Sequence, residues 1–184
     1  LLRRRLPVKA GRMAKDHFQD NFRQGGFVDN GLHPWPATQR QRSGSSAASA
    51  NYSPLLSRRN HLFNSIKYIP ADYRVRILNE VPYAAIHNEG GETHPKVTPA
   101  MRAHAWKMFY KSIGKKTSPK GQKKNRQRDG GITPEALKWK HLALTKKSKL
   151  DIKIPRRQFI GESKELNERV KKTIETEIKN ILNF

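Results

Sequence analysis

The stretch of residues 62–78 reads Leu-Phe-Asn-Ser-Ile-Lys-Tyr-Ile-Pro-Ala-Asp-Tyr-Arg-Val-Arg-Ile-Leu. It is rich in β-branched and aromatic residues, and its second half alternates apolar residues with arginines, which is typical of strands. We therefore predict two antiparallel strands, at 62–69 and 73–78. The turn is expected at 70–72, because proline fixes φ and aspartate can bond nearby amides.

Helices are predicted on both sides of this strand pair. Residues 8–22 carry a narrow apolar stripe that Gly25 and Gly26 should end, and 99–113 form a second helix with proline near its start. After Gly161, Ser163 can cap a last helix. The apolar residues of that helix recur at steps of four and three, at Leu166, Val170, Ile174, Ile178 and Ile181.

The rest of the chain gives weaker signals. Residues 134–144 could be a short helix or an extended segment, and Leu150, Ile152 and Ile154 alternate as in a strand. Residues 27–50 and 114–131 are predicted to be loops, the second strongly basic. The fold class expected is α+β: a small antiparallel sheet packed by N-terminal and C-terminal helices, with an inserted helix and a long basic loop. We expect a single domain over 1–184, with flexible loops around 36–54 and 114–131.

Composition bounds the function. Thirty-eight Lys and Arg against 15 Asp and Glu give a net charge of +23, which favours a polyanion or an acidic protein face as partner. The absence of cysteine excludes disulfides, thiolate metal sites and a cysteine nucleophile. No apolar run approaches the roughly 20 residues that span a bilayer, and the opening Leu-Leu-Arg-Arg-Arg-Leu lacks the core of a secretory signal, so we expect no membrane association.

Residues 83–91, Tyr-Ala-Ala-Ile-His-Asn-Glu-Gly-Gly, are the most distinctive candidate site. Tyr83, His87 and Glu89 could form an acid/base site. The competing interpretation is structural. Tyr83 would pack against Ile86 one helical turn away, His87 would hydrogen-bond a backbone group, and the glycine pair would make a turn at positive φ. We favour the structural interpretation, and expect no enzyme activity and no cofactor.

Three further features have two interpretations each. His87, His94 and His104 match no common metal-ligand spacing, so no metal site is expected. Arg157, within 155–161, could pair bidentately with a carboxylate of its own or a neighbouring subunit, or be a plain exposed arginine. Trp106, Phe109, Tyr110 and Trp139 are interpreted as core or interface anchors rather than base-stacking platforms.

The basic loop is the candidate contact for DNA or for an acidic partner, and a solvated loop is the alternative. The residues assigned to that contact are Lys115, Lys116, Lys120, Lys123, Lys124, Arg126 and Arg128.

Several motifs, in this order, resemble the virion morphogenesis, or tail completion, proteins of Mu-like phages and prophages. Residues 62–66 are similar to the family's Leu-x-x-Ser-Ile strand, 83–91 to its Tyr-Ala-x-Ile-His-x-x-Gly-Gly segment, and 155–161 to its Pro-x-Arg-x-Phe-Ile/Leu-Gly segment. The likeness leaves mainly the Ser-rich and Lys-rich loops unmatched. The positions that carry the motifs are Tyr83, Ala84, His87, Gly90, Gly91, Pro155, Arg157, Phe159 and Gly161.

The resemblance implies a structural protein of the phage neck or head-proximal tail end, made in the bacterial host cytoplasm. It implies a ring of copies, expected to be hexameric, that terminates the tail tube and enables head-tail joining. Its partners would be itself, the tail tube protein, the head-tail connector proteins and the genomic DNA passing through the ring. The alternative from composition is a basic nucleic-acid-binding protein, such as a ribosomal or nucleoid component.

Overall fold

The computed structural model describes residues 2–42, 51–113 and 132–182. Within these ranges the α+β class is confirmed, and the strands pair two by two: β1 with β2, β3 with β4, and β5 with β6. The helices are α1 Leu2–Gln24, α2 Gln39–Arg42, α3 His61–Asn64, α4 Ala84–Glu89, α5 Pro99–Ser112, α6 Pro134–Leu144 and α7 Lys164–Leu182. The strands are β1 Gly26–Val28, β2 Leu32–Pro34, β3 Ile66–Ala71, β4 Arg74–Asn79, β5 Gly91–Thr93 and β6 Ile152–Ile154.

The residues group into two compact units. The first unit is Leu1–Glu92 with Lys153–Phe184, and the second unit is Thr93–Ile152. A single domain over the whole chain stays a prediction. Of the first loop expected to be flexible, 36–54, residues 43–50 lie outside the described residues, and α2 occupies Gln39–Arg42. The second loop, 114–131, lies entirely outside the described residues.

The core of the first unit is centred on Phe22, whose side chain is fully buried. Its ring contacts those of Trp35, Phe63 and Phe159, with centroids 5.5, 5.9 and 5.0 Å away. Burying a phenylalanine in this way stabilises a fold by about 2 kcal/mol. The apolar stripe predicted on the first helix therefore faces the core, where the segments around Trp35 and Phe159 pack against it.

Helix α1 also crosses the hairpin formed by β3 and β4. The crossing occurs at Gly11, where a Cβ atom would lie 2.5 Å from the Tyr68 ring and 2.8 Å from a Val75 methyl group. Glycine in mid-helix is costly, so its presence here has a packing reason: it lets the helix approach the strands.

The hairpin is confirmed, but its predicted turn at 70–72 begins two residues too early and ends one residue too early. Ala71 pairs with Arg74, so the turn residues are Asp72 and Tyr73, and Tyr73 adopts φ +59°. The turn is held from outside by α1, because Arg3 accepts a backbone bond from Tyr73 at 3.3 Å and pairs with Asp72 at 3.4 Å. Pro70 lies within β3, which tolerates it because that strand is at a sheet edge.

The start of the first predicted strand is also wrong. Residues 61–64 form α3 instead, and the backbone N–H of Asn64 donates to the carbonyl of Asn60 at 2.8 Å. Leu62 and Ile66, four residues apart, are both buried, so one helical turn and the following strand residue point into the same core. The strand itself begins at Ile66.

Residues 27–34 are not the irregular loop that was predicted. They form the short pair β1 and β2, with Val28 N donating to Asn21 Oδ1 at 3.2 Å. Asn30 and Gly31, at positive φ, make the turn between the strands. Strands of three residues are too short to show a period of two, which is why the sequence pattern misses them.

The predicted helices are confirmed, although α1 begins at Leu2 rather than near residue 8, and 134–144 is helical rather than extended. In the second unit, α5 and α6 begin in the same way. The side chains of Thr98 and Thr133 each accept a hydrogen bond, at 3.2 Å, from the backbone N–H of the residue three positions later, and each threonine is followed by proline. In the first unit, Ser163 Oγ accepts from Leu166 N, as predicted for the cap of α7. None of the described helices is long and apolar enough to span a bilayer.

Candidate functional site

The two distinctive motifs, 83–91 and 155–161, meet in the first unit although the chain separates them widely. The first motif folds as α4 and ends at Gly90, whose N–H donates to Ile86 O at 3.0 Å. The second motif passes beside that end. Arg157 N donates to His87 O at 2.8 Å, so one backbone bond joins the two motifs directly.

Gly90 is required at this meeting point for two reasons. Its backbone has φ 77° and ψ 177°, a combination that residues with a side chain avoid. In addition, a Cβ atom there would lie 2.9 Å from the backbone nitrogen of Arg156. The predicted turn at positive φ is thus confirmed, and the second motif passes where that side chain would be.

Asn88 holds the second motif in place. Its Oδ1 accepts hydrogen bonds from Phe159 N at 2.9 Å and from Ile160 N at 3.0 Å. From the other side, Asn21 Nδ2 donates to Phe159 O at 3.3 Å, and Trp35 Nε1 donates to Gln158 O at 2.8 Å. An irregular segment whose backbone is bonded in this way can be buried without leaving polar groups unpaired.

Sequence reasoning missed Asn21, Asn88 and Trp35 as partners of the second motif. Asn88 lies within the first motif, but its sequence neighbours give no sign that its amide bonds residues 71 and 72 positions away. Asn21 is completely buried on a helix whose apolar stripe hides it among Phe18 and Phe22. The signal available in the sequence was an asparagine on the same helix stripe as two phenylalanines, because a polar residue at such a position needs a hydrogen-bond partner.

Arg157 is buried, with only 7% of its surface exposed, so the plain exposed arginine is excluded. Its Nε and Nη2 both donate to Pro36 O, at 3.1 and 2.9 Å. Within the described residues no carboxylate pairs with it, so the predicted pair with an acid of its own subunit is not found there. Burial, and then the nearby charges of Arg42 and Arg40, lower the pKa of Arg157.

His87 lies close to this arginine, and its pKa is lowered from the ordinary value of histidine. Burial is the larger cause and the Arg157 charge the smaller cause of the lowered pKa of His87. Its Nδ1 is buried and has no hydrogen-bond partner among the described residues, so the predicted bond from the ring to a backbone group is not found. Tyr83 meets the imidazole edge-on at 5.9 Å between ring centroids.

A cavity of about 440 Å³ opens beside these groups in the first unit. Its lining combines cationic and ring side chains with aliphatic ones. The residues that matter below are Arg40, Arg157, His61, His87, Tyr83 and Leu62. None of the described aspartates or glutamates lines it, so the described residues give the cavity positive charge and hydrogen-bond donors.

The remaining candidates are scattered. His94 Nδ1 lies 2.9 Å from Asp151 Oδ1, and His104 meets the Trp139 ring, both within the second unit. The described residues contain no group of three His, Cys, Asp or Glu side chains that could hold a metal ion. The seven Lys and Arg residues assigned to DNA or an acidic partner, from Lys115 to Arg128, lie outside the described residues.

The four aromatic residues of the second unit divide into two kinds. Phe109 is buried and fits the predicted core anchor. Trp106 stacks on Tyr110, with centroids 5.8 Å apart and planes at 23°, and Tyr110 is exposed. Only part of this aromatic group is therefore used in packing within the described chain.

A scan against protein-family models, a search of curated proteins and a search of solved structures each found no match for this chain.

Proposed function

We propose that the protein is a structural component of the neck or upper tail of a tailed phage, and that copies of it form a ring. The ring would end the tail tube by covering its terminal surface and would offer the head connector a different surface. The resemblance of the ordered motifs supports this function. The meeting of 83–91 with 155–161 supports it further, because two segments of one family pattern are expected to serve one structural purpose.

The observation that carries the assembly argument is the uncovered apolar stripe of α7. Leu166, at the start of the stripe, is 8% exposed, whereas Ile178, Ile181 and Leu182 at its end are 38, 46 and 57% exposed. These residues continue the same helical spacing, so the stripe extends beyond the part of the unit that covers it. A contiguous apolar surface of this kind is typical of a protein-protein interface.

The hairpin offers a second kind of contact. Within the described residues, β3 and β4 pair only with each other, so each has an edge that can pair with a strand of another chain. Tyr73 and Ile69, at and near its tip, are 80 and 52% exposed. Two different surfaces on one subunit are what a ring needs, because its interfaces join unlike patches head to tail.

The experiment is the mass of the purified protein in solution, measured by light scattering after size exclusion, with and without tail tubes of its own phage. We expect a discrete oligomer that resists high salt and forms without DNA. Ile178→Gln with Ile181→Gln should reduce it to smaller species. Lys172→Gln with Lys179→Gln, on the same helix outside the stripe, is the matched control and should leave the mass unchanged. A protein that stays monomeric at high concentration and with tubes present refutes the proposal.

Binding of nucleic acid is the second candidate. The net charge of +23 favours it, as does the stacked pair of Trp106 and exposed Tyr110 on α5, a helix that also carries Arg102, Lys107 and Lys111. Its signature is binding to DNA or RNA that weakens steeply as salt increases. If the protein is a monomer that associates only with nucleic acid, and if Trp106→Ala weakens that binding, nucleic-acid binding is supported and the ring is refuted.

A further inference from the structure

Arg157 carries a buried positive charge that the described chain does not neutralise. Its hydrogen bonds go to one carbonyl oxygen, that of Pro36, and use Nε and Nη2. The end of the guanidinium that carries Nη1 bonds no acceptor within the described residues. Burying an ion without a counter-charge is costly, and such groups normally have a partner.

The chain has few acids that could act as this partner. Fifteen Asp and Glu residues occur, and all except Asp129 lie in the described ranges. None of those described lines the cavity or forms an ion pair with Arg157. The charges that act on it within the described residues are instead repulsive, because Arg42 and Arg40 both disfavour its charged form.

The cavity in front of Arg157 offers further hydrogen-bond donors. Tyr83 and His61 line it, and the contact between Tyr83 Oη and His61 Nδ1, at 3.5 Å, is a long and therefore weak hydrogen bond. His87 lies on the same lining with a buried nitrogen that has no partner among the described residues. Cationic and neutral donors thus converge on one space without an acidic side chain.

We infer that this cavity is a binding site for a carboxylate, supplied by an aspartate or glutamate on an acidic segment of a different protein. The carboxylate would accept hydrogen bonds from the free end of the Arg157 guanidinium and from Tyr83 Oη. A net charge of +23 makes an acidic protein the electrostatically favoured occupant of this cavity.

The lining favours a protein carboxylate over a nucleic-acid phosphate. Leu55, Leu56 and Leu62 form part of the same wall, and aliphatic groups suit the apolar neighbours of an acidic residue in a peptide. A phosphodiester would bring hydrated sugars against these leucines instead. The cavity of about 440 Å³ is also large enough for one or two side chains.

The test compares two short peptides on the full chain, acetyl-Leu-Glu-Leu-amide and acetyl-Leu-Gln-Leu-amide, by isothermal calorimetry and by NMR of the His87 imidazole. We expect the glutamate peptide to bind about tenfold more tightly or better, because only it supplies the missing charge. It should also raise the pKa of His87, since a carboxylate near the ring favours the imidazolium. Equal binding of the two peptides overturns the inference.

Matched variants locate the site. Arg157→Gln should abolish the difference between the peptides, whereas Arg156→Gln, one residue earlier and exposed, should preserve it. Tyr83→Phe keeps the ring and removes one donor, so it should weaken the glutamate peptide severalfold and leave the glutamine peptide unchanged. If Arg157→Gln does not fold, the comparison of wild type with Tyr83→Phe decides the question.

The alternative sources of an anion are separate arms of the same test. Inorganic phosphate and a short single-stranded DNA are titrated while the His87 signal is followed. If either moves that signal at a lower concentration than the glutamate peptide does, the site is for phosphate and the inference is wrong. None of these measurements depends on whether the protein forms a ring.

Discussion

The backbone carbonyl of His87 accepts a hydrogen bond from the backbone N–H of Arg157 at 2.8 Å. This bond ties the last turn of α4 to the connector that leads into α7. Because both side chains line the same cavity, any shift of the connector relative to α4 changes the geometry of the cavity as well. Stability of the first unit and the shape of its candidate site are therefore linked at this bond.

Replacing Asn88 by alanine should destabilise the first unit by about 2 kcal/mol. The substitution removes the acceptor of two partly buried N–H groups, those of Phe159 and Ile160, and leaves both unsatisfied. Urea unfolding followed by circular dichroism measures the change. Asn167→Ala, on the exposed surface of α7, is the control and should be neutral or slightly stabilising. Equal effects of the two changes would show that the Asn88 bonds contribute nothing.

Gly90→Ala should cost about 3 kcal/mol, more than Gly25→Ala at about 1 kcal/mol. Both glycines have positive φ, at 77° and 69°. A Cβ at Gly90 meets the Arg156 nitrogen at 2.9 Å, whereas the nearest atom to one at Gly25 is 3.9 Å away. The difference between the two free energies of unfolding reports the contact with the second motif together with the backbone strain of a side chain at the Gly90 φ and ψ. A smaller loss at Gly90 than at Gly25 contradicts the packing described for that motif.

Gly11→Ala should destabilise the protein by about 1–3 kcal/mol, although alanine is the better helix former. The added methyl group overlaps the Tyr68 ring. In a Tyr68→Ala background the same change should cost less, because the overlap with the ring is gone while the contact with the Val75 methyl group, at 2.8 Å, remains. A double-mutant cycle by thermal or urea unfolding measures this coupling. Additive effects would mean that α1 and the hairpin do not pack closely at this position.

Stability should fall as the pH is lowered below about 6.5, the ordinary pKa of histidine. His17 and His87 both have lowered pKa values, mainly because they are buried. The unfolded chain therefore binds more protons than the folded chain between the lowered values and 6.5, so the stabilisation is complete above 6.5 and is lost below it. Unfolding free energies between pH 5 and 8 measure the slope.

Matched histidine variants assign this pH dependence. His17→Gln and His87→Gln should each flatten the slope, because each removes one group that the folded state keeps unprotonated. His141→Gln, at an exposed position of α6, is the control and should leave the slope unchanged. A slope that neither His17→Gln nor His87→Gln alters would assign it to other groups.

The helices could be predicted well because their signals are local. Ser163 Oγ accepts a bond from Leu166 N, three residues on, and the apolar stripe of α7 recurs at steps of four and three. Signals that compete locally were misread. The Leu62 region has strand-like residues but closes a helical turn, since its side chain and that of Ile66 then reach one core.

The candidate site was predictable only in part. The two motifs were visible in the chain, and the glycine pair indicated its turn. What Arg157 does was not visible, because an arginine surrounded by polar neighbours in sequence gives no sign of burial. The bonds from Pro36, Asn21 and Trp35 to the second motif likewise join residues more than a hundred positions apart.

The amino-acid sequence alone predicts the α+β class, the presence of the longer helices, the Ser163 cap of α7 and a strongly positive charge. These properties depend on residues within about one helical turn or on composition alone. Three relationships are visible only in the folded chain. Residues 83–91 and 155–161 form one junction, and Gly11 lets α1 approach the hairpin of β3 and β4 closely. Arg157 is buried close to His87 and forms no ion pair with an aspartate or glutamate among the described residues. Such relationships depend on which side chains fill the same space, and packing brings those together without regard to their separation along the chain.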